Sequence, residues 1–137
     1  MEEHFVVTAE GMIEFGKALG AELLPGGVIG LVGDLGAGKT HLTKGICAAL
    51  GADDTTSPTF KLVNEVEGGS VLIYHFDFYR VKQAEELLDL GWDDYIEAGG
   101  IVVAEWADMF PELMPAHTLW IKVEHAEGGR RILIKRS

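Results

Sequence analysis

A chain of 137 residues, 47% hydrophobic and 24% charged, supplies one core that buries roughly two-thirds of its unfolded surface and not two cores, and the same composition excludes disordered and fibrous architectures. Eleven Lys and Arg against 22 Asp and Glu leave a net charge of -11, the wrong sign for gripping a nucleic-acid backbone through counterion release. One cysteine, Cys47, permits no internal disulfide, five scattered histidines follow no zinc spacing, and an acidic start with no apolar run near the roughly 20 residues of a membrane span points to a soluble, cytoplasmic protein.

Residues His4 to Val7 read as a short strand, and Thr8 as the cap of a helix whose apolar positions Met12, Phe15, Leu19 and Leu23 recur at helical spacing up to Pro25-Gly26. Val28-Ile29-Gly30-Leu31-Val32 is apolar on both faces, as a central strand between helical layers has to be, and runs into a glycine-rich turn. The next helix presents Leu42, Ile46 and Leu50 on one face and stops at Gly51. Asp53 to Thr59, polar and containing Pro58, is expected to be a loop. Phe60 to Val66 and Val71 to Phe76 are expected to pair as a hairpin. A helix is expected from Gln83 to Asp94 on Leu87, Leu88 and Leu90, a second buried strand over Ile101 to Ala104, and a closing hairpin from Thr118 to Glu124 and Arg131 to Lys135 around Gly128-Gly129.

These elements predict an α/β fold, a single domain over residues 1–137: a mixed sheet with a parallel centre, antiparallel edge hairpins and helices on both faces. Charge along it is uneven. Nine acids lie between Glu85 and Glu112 with no Lys or Arg among them, while Arg130, Arg131, Lys135 and Arg136 crowd the end. Such runs most often keep a surface wet; the sharper reading is a docking surface for a partner protein.

Gly33-Asp34-Leu35-Gly36-Ala37-Gly38-Lys39-Thr40 matches G-x-x-x-x-G-K-[ST] between a buried strand and a helix. In that setting glycines let backbone amides point at a β-phosphate, Lys39 reaches the β and γ oxygens, and the Thr40 hydroxyl sits on Mg²⁺. Nucleotide hydrolysis also needs acids at strand ends. Asp77 after Val71 to Phe76 and Glu105 after Ile101 to Ala104 are the two candidates for the metal-side acid, the alternative being that one of them is a surface carboxylate or the partner of Arg80. Thr59 lies where related folds place a switch threonine, although a loop Thr is also a common turn former. Trp106 suits stacking on a base or partner but equally a core position, Arg80 suits a phosphoryl group or an ordinary ion pair, and Cys47 reads as a small apolar packer.

No Asn-Lys-x-Asp is present to read guanine, so ATP is the expected nucleotide, and the short chain leaves no domain for an acceptor substrate. Three classes stay open: an ATPase switch acting on a partner, a small-metabolite kinase of minimal size, and a nucleotide-binding scaffold without turnover.

Gly33 to Thr40, Ser57-Pro58-Thr59-Phe60, His75-Phe76-Asp77-Phe78-Tyr79-Arg80, Glu86-Leu87-Leu88-Asp89-Leu90-Gly91 and Glu105-Trp106 together resemble, in order and spacing, the TsaE (YjeE) family, over nearly the whole chain from Thr8 to Arg131. The resemblance implies an Mg²⁺-dependent P-loop ATPase of bacterial tRNA threonylcarbamoyladenosine biosynthesis, which modifies the adenosine next to the anticodon in tRNAs reading codons that begin with A. It further implies that the protein acts on the complex of TsaD with TsaB and meets tRNA only indirectly. By the same resemblance, Asp34, Leu35, Gly36, Ala37, Gly38, Lys39, Thr40 and His41 hold the phosphates, Thr40 and Glu105 the magnesium ion, Thr59 is the switch threonine and Asp77 acts on water. Thr8 and Arg130 resemble positions near the base and ribose.

Overall fold

Four parallel strands form the centre of one seven-stranded sheet. The structure, a computed structural model, describes residues 1–33, 38–52, 63–67 and 71–136. Its elements are β1 (Glu2–Val6), α1 (Ala9–Glu22), β2 (Val28–Val32), α2 (Lys39–Ala49), β3 (Val63–Glu67), β4 (Leu72–Asp77), α3 (Ala84–Leu90), α4 (Trp92–Glu97), β5 (Ile101–Glu105), β6 (Leu119–Ala126) and β7 (Gly129–Lys135), with short 3₁₀ turns between some of them. The strand order is β1-β7-β6-β2-β5-β4-β3. Strands β6, β2, β5 and β4 run parallel, while β3 pairs antiparallel with β4 at one edge and, at the other, β7 pairs antiparallel with β6 and β1 antiparallel with β7. The expected architecture is thus the observed one.

Burial explains why the centre was visible in the residues. Val28, Ile29 and Leu31 of β2 and all of Ile101–Glu105 are buried, because helices cover both faces of the sheet. On one face α1 and α2 pack through Met12, Leu19, Leu42 and Ile46 onto Ile29, Leu31 and Val103. The other face is an aromatic layer in which Phe76, Phe78 and Trp92 meet edge to face beneath α3 and α4.

The helices α1 and α2 approach closely because glycines line their contact. A Cβ on Gly45 would lie 2.0 Å from the Ile13 carbonyl oxygen, and one on Gly16 2.3 Å from that of Leu42. That approach brings the start of α1 beside the start of α2.

Three expectations change. The first strand covers Glu2–Val6, ending one residue earlier than the apolar run suggested. The single helix expected from Gln83 to Asp94 is two, because Gly91 adopts φ 107°, a left-handed conformation that ends α3 and redirects the chain into α4. Of its three leucines only Leu87 is buried, and Trp92, beyond the break, supplies the larger anchor. The basic C-terminal end is drawn into edge pairing: Arg136 meets Glu2 and Glu22, and Arg131 meets Glu3 and Glu124. The loop expected over residues 53–59, the start of the first hairpin at 60–62 and its turn at 68–70 lie outside the described residues.

Candidate functional site

The parallel strands bring their C-terminal ends to one edge, where an α/β sheet opens a crevice for ligands. A cavity of about 390 Å³ lies there. Its floor is the first turn of α2, with Gly38, Lys39, Thr40 and His41; one wall is the strand-end pair Asp77 and Glu105, followed by Trp106; the opposite wall is Thr8 from the start of α1 and Arg130 from β7. All eight described site residues expected from the sequence therefore line one space. Asp34, Leu35, Gly36, Ala37 and Thr59 lie outside the described residues. Arg80 closes the 3₁₀ turn after β4, is exposed, and does not line the cavity.

The first turn of α2 carries positive charge for structural reasons. Gly38 caps it at φ 105°, among the described residues no side-chain hydrogen bond caps it, and the turn holds no acid. The positive end of the helix dipole then favours an anion. Lys39 is only 6% exposed; its Nζ donates to the Gly33 carbonyl at 2.5 Å and stands 3.8 Å from the centre of the Trp106 ring. Gly33 itself, at φ 151°, has no room for a side chain: a Cβ would meet the Val123 carbonyl oxygen at 2.4 Å.

Asp77 and Glu105 face each other in the β4–β5 register, on the sheet face that bears α1 and α2. Their environments differ. Asp77 is half-buried and its Oδ1 accepts the Tyr79 N–H, capping the following 3₁₀ turn. Glu105 is buried, and its Oε2 lies 2.5 Å from His75 Nε2. Immediately after it, Trp106 takes φ 59°, the one positive value of a non-glycine among the described residues, and this turn lays its ring against Lys39 and Tyr79.

Thr8 accepts the Gly11 N–H at 2.9 Å and so caps α1 at the cavity rim, as its sequence position predicted. Arg130 is partly buried and donates to the Gly129 carbonyl. The residues sequence reasoning missed are His75, behind Glu105, and Val7, Ala9 and Met12, which add apolar surface beside Thr8. The two-residue spacing from His75 to Asp77 along a strand was the available signal for the first.

Among the described residues no three His, Cys, Asp or Glu side chains gather to hold a metal. The Thr40 hydroxyl and the Glu105 carboxylate in one cavity at the start of α2 are instead a sparse, hard oxygen set of the kind that would suit Mg²⁺ shared with phosphate oxygens. Also among the described residues, no helix is long and apolar enough to cross a membrane.

The chain resembles known proteins over most of its length. The family model described as "Threonylcarbamoyl adenosine biosynthesis protein TsaE" matches residues 6–133. The chain is 40% identical over 116 residues to the tRNA threonylcarbamoyladenosine biosynthesis protein TsaE of Bacillus subtilis (strain 168), covering 84% of this chain and 72% of that protein. It is 36% identical over 135 residues to the protein of the same name from Nostoc sp., covering 96% and 83%. The crystal structure of Bacillus subtilis YdiB superposes with a TM-score of 0.82 at 32% identity, covering 98% of this chain and 84% of that one.

Proposed function

The chain belongs to the TsaE family, and from that premise we propose that residues 1–137 act as one Mg²⁺-dependent ATPase domain in the cytoplasm, slow alone and stimulated by its partner. It serves threonylcarbamoylation of the adenosine next to the anticodon in tRNAs reading codons that begin with A. It acts on the complex of TsaD with TsaB rather than on tRNA, in keeping with a net charge of -11.

The observation that carries this reading is the convergence of Lys39, Thr40, Asp77 and Glu105 on one cavity at the Gly38-capped start of α2. The α2 amides and Lys39 bind the β and γ phosphates of ATP, Thr40 and Glu105 hold Mg²⁺, and Thr8 and Arg130 lie toward the base and ribose. When bound, the cation neutralises charge on the phosphate oxygens. Asp77 orients the attacking water and draws off its proton as the water oxygen bonds to the γ-phosphorus and the bond to the bridging oxygen breaks, leaving ADP and phosphate. Thr59 acts as the switch threonine near the γ-phosphate.

The test is a nucleotide titration with and without the purified TsaD–TsaB complex, coupled to phosphate release. Mg·ATP binding in preference to GTP, with turnover raised by the complex, is expected. Rapid turnover without the complex, or ATP consumption stimulated by a small metabolite, overturns the proposal in favour of a kinase.

A further inference from the structure

His75 stands two residues before Asp77 on β4, so alternation puts both on the same face of the sheet. The parallel register sets His75 opposite Val103 and Asp77 opposite Glu105. From that position the imidazole reaches diagonally to the carboxylate, Nε2 to Oε2 at 2.5 Å, with side chains 1% and 8% exposed. The other ring nitrogen, Nδ1, is buried and has no hydrogen-bond partner among the described residues.

A buried nitrogen without a partner is tolerated better as a bare lone pair than as an N–H donor. The tautomer that satisfies the ring therefore carries its hydrogen on Nε2 and donates it to Glu105. His75 does not line the cavity, whereas Glu105 does. The imidazole thus touches the site through the carboxylate alone. One carboxylate oxygen is tied back toward the sheet interior, leaving Oε1 as the oxygen for a cation.

We infer that His75 is a positioning residue for the magnesium site: by holding Oε2 of Glu105 it fixes the carboxylate rotamer that presents Oε1 beside Thr40. The inference rests on the Mg·ATP reading of the cavity. A buried carboxylate with a single fixed donor is already oriented before the metal arrives, which is how outer partners of metal ligands commonly act.

The test is the Mg²⁺ dependence of ATP binding, followed by calorimetry on the full chain with His75→Leu, His75→Gln and His75→Asn. A Gln amide nitrogen extends about as far from the backbone as Nε2, whereas that of Asn extends only as far as Nδ1. The Leu and Asn variants should raise the Mg²⁺ requirement roughly 10–100-fold, the usual scale for such partners, and Gln should restore it to within a few-fold.

A second measurement needs neither metal nor nucleotide: urea unfolding of His75→Leu, Glu105→Gln and the double variant, in which the two changes should be non-additive. A parental Mg²⁺ requirement in His75→Leu, a Gln variant no better than Asn, or an additive cycle overturns the inference. If His75→Leu does not fold, the contrast of Gln with Asn decides it. A parent chain that binds no ATP at any Mg²⁺ concentration overturns the cavity reading and this role with it, a failure distinct from normal parental binding with unchanged variants.

Discussion

Lys39 Nζ lies 3.8 Å from the centre of the Trp106 ring and 2.5 Å from the Gly33 carbonyl oxygen, so the cation of the phosphate loop is held between the residues that follow β2 and β5. An ammonium this buried needs both contacts, because an unpaired charge out of water costs several kcal/mol on the order of a lost ion pair. The ring reaches it only because Trp106 accepts a left-handed backbone, which costs a non-glycine roughly 1–2 kcal/mol. Such strain is stored where a site needs a side chain aimed.

Lys39→Ala should therefore weaken ATP binding or abolish turnover, since it removes the ammonium group that lines the cavity at the start of α2. Trp106→Ala should weaken ATP binding by the roughly 0.5–2 kcal/mol of a cation–π contact, and Trp106→Phe by less. Calorimetric titration ranks the three. A Lys39→Ala chain that hydrolyses ATP at the parental rate would show that the cavity is not the nucleotide site.

Asp77 and Glu105, opposite each other in register, should fail in different ways. In its proposed role Glu105 would meet the cation in the ground state, so Glu105→Gln should weaken Mg²⁺-dependent ATP binding. In its proposed role Asp77 would contribute once the γ-phosphoryl group is moving, so Asp77→Asn should leave ATP affinity nearly intact and lower single-turnover hydrolysis on the order of a hundredfold or more. The reverse pattern exchanges the two roles.

Gly45→Ala should destabilise the fold although alanine is the better helix former. The added Cβ would sit 2.0 Å from the Ile13 carbonyl oxygen, a backbone atom that cannot rotate away. Forcing α1 from α2 should cost roughly 1–3 kcal/mol in urea unfolding, more than the roughly 1 kcal/mol that helix propensity returns. ATP affinity should fall with it, because Thr8 and Met12 ride on that contact. A stability equal to or above the parent would refute the close approach of the two helices.

The sequence showed the sheet centre clearly because β2 and β5 are buried on both faces, which leaves continuous apolar runs. Thr8 was equally legible: a cap hydroxyl ahead of a periodic apolar stripe is a local signal. The left-handed Gly91 was harder to see, since a glycine within a run of leucines does not announce whether the helix continues. The spacing of His75 and Asp77 placed both on one strand face, but the contact of His75 with Glu105, thirty residues away, was not legible because it arises only through β4–β5 pairing. Trp106 stayed ambiguous between core and ligand for a related reason: its backbone conformation, not its type, places the ring over Lys39.

The acids Glu85 and Glu86 lie in the first turn of α3, on a helix whose Leu88 and Leu90 are 45% and 41% exposed. If this face meets a basic partner surface, Glu85→Lys with Glu86→Lys should weaken association with the TsaD–TsaB complex, and the parental interaction should weaken as salt rises toward screening. Basal ATP binding, measured on the same preparation, should be unchanged. Association that is identical in parent and variant at low salt would leave this surface merely solvated.

Cys47 gives the chain an alkaline limit with a calculable sign. It is a buried residue of α2, and burial pushes its thiol from 9.0 up to about 11 because the thiolate would be desolvated. Below the unfolded value both states keep the proton and the group is indifferent to pH. Above it the unfolded chain ionises first, so stability present below 9.0 is lost as pH rises toward the folded value of about 11. The full loss is about 2–3 kcal/mol, of which about 1 kcal/mol falls between pH 8 and pH 10. Cys47→Ala has no such titration, while tyrosines and lysines ionise alike in both proteins. At about pH 8 the variant should be the less stable, by the packing lost with the sulfur. Urea unfolding at the two pH values should then show the gap between parent and variant shrinking by about 1 kcal/mol. A gap that stays constant would mean that water reaches the thiol and that α2 does not seal it against the sheet.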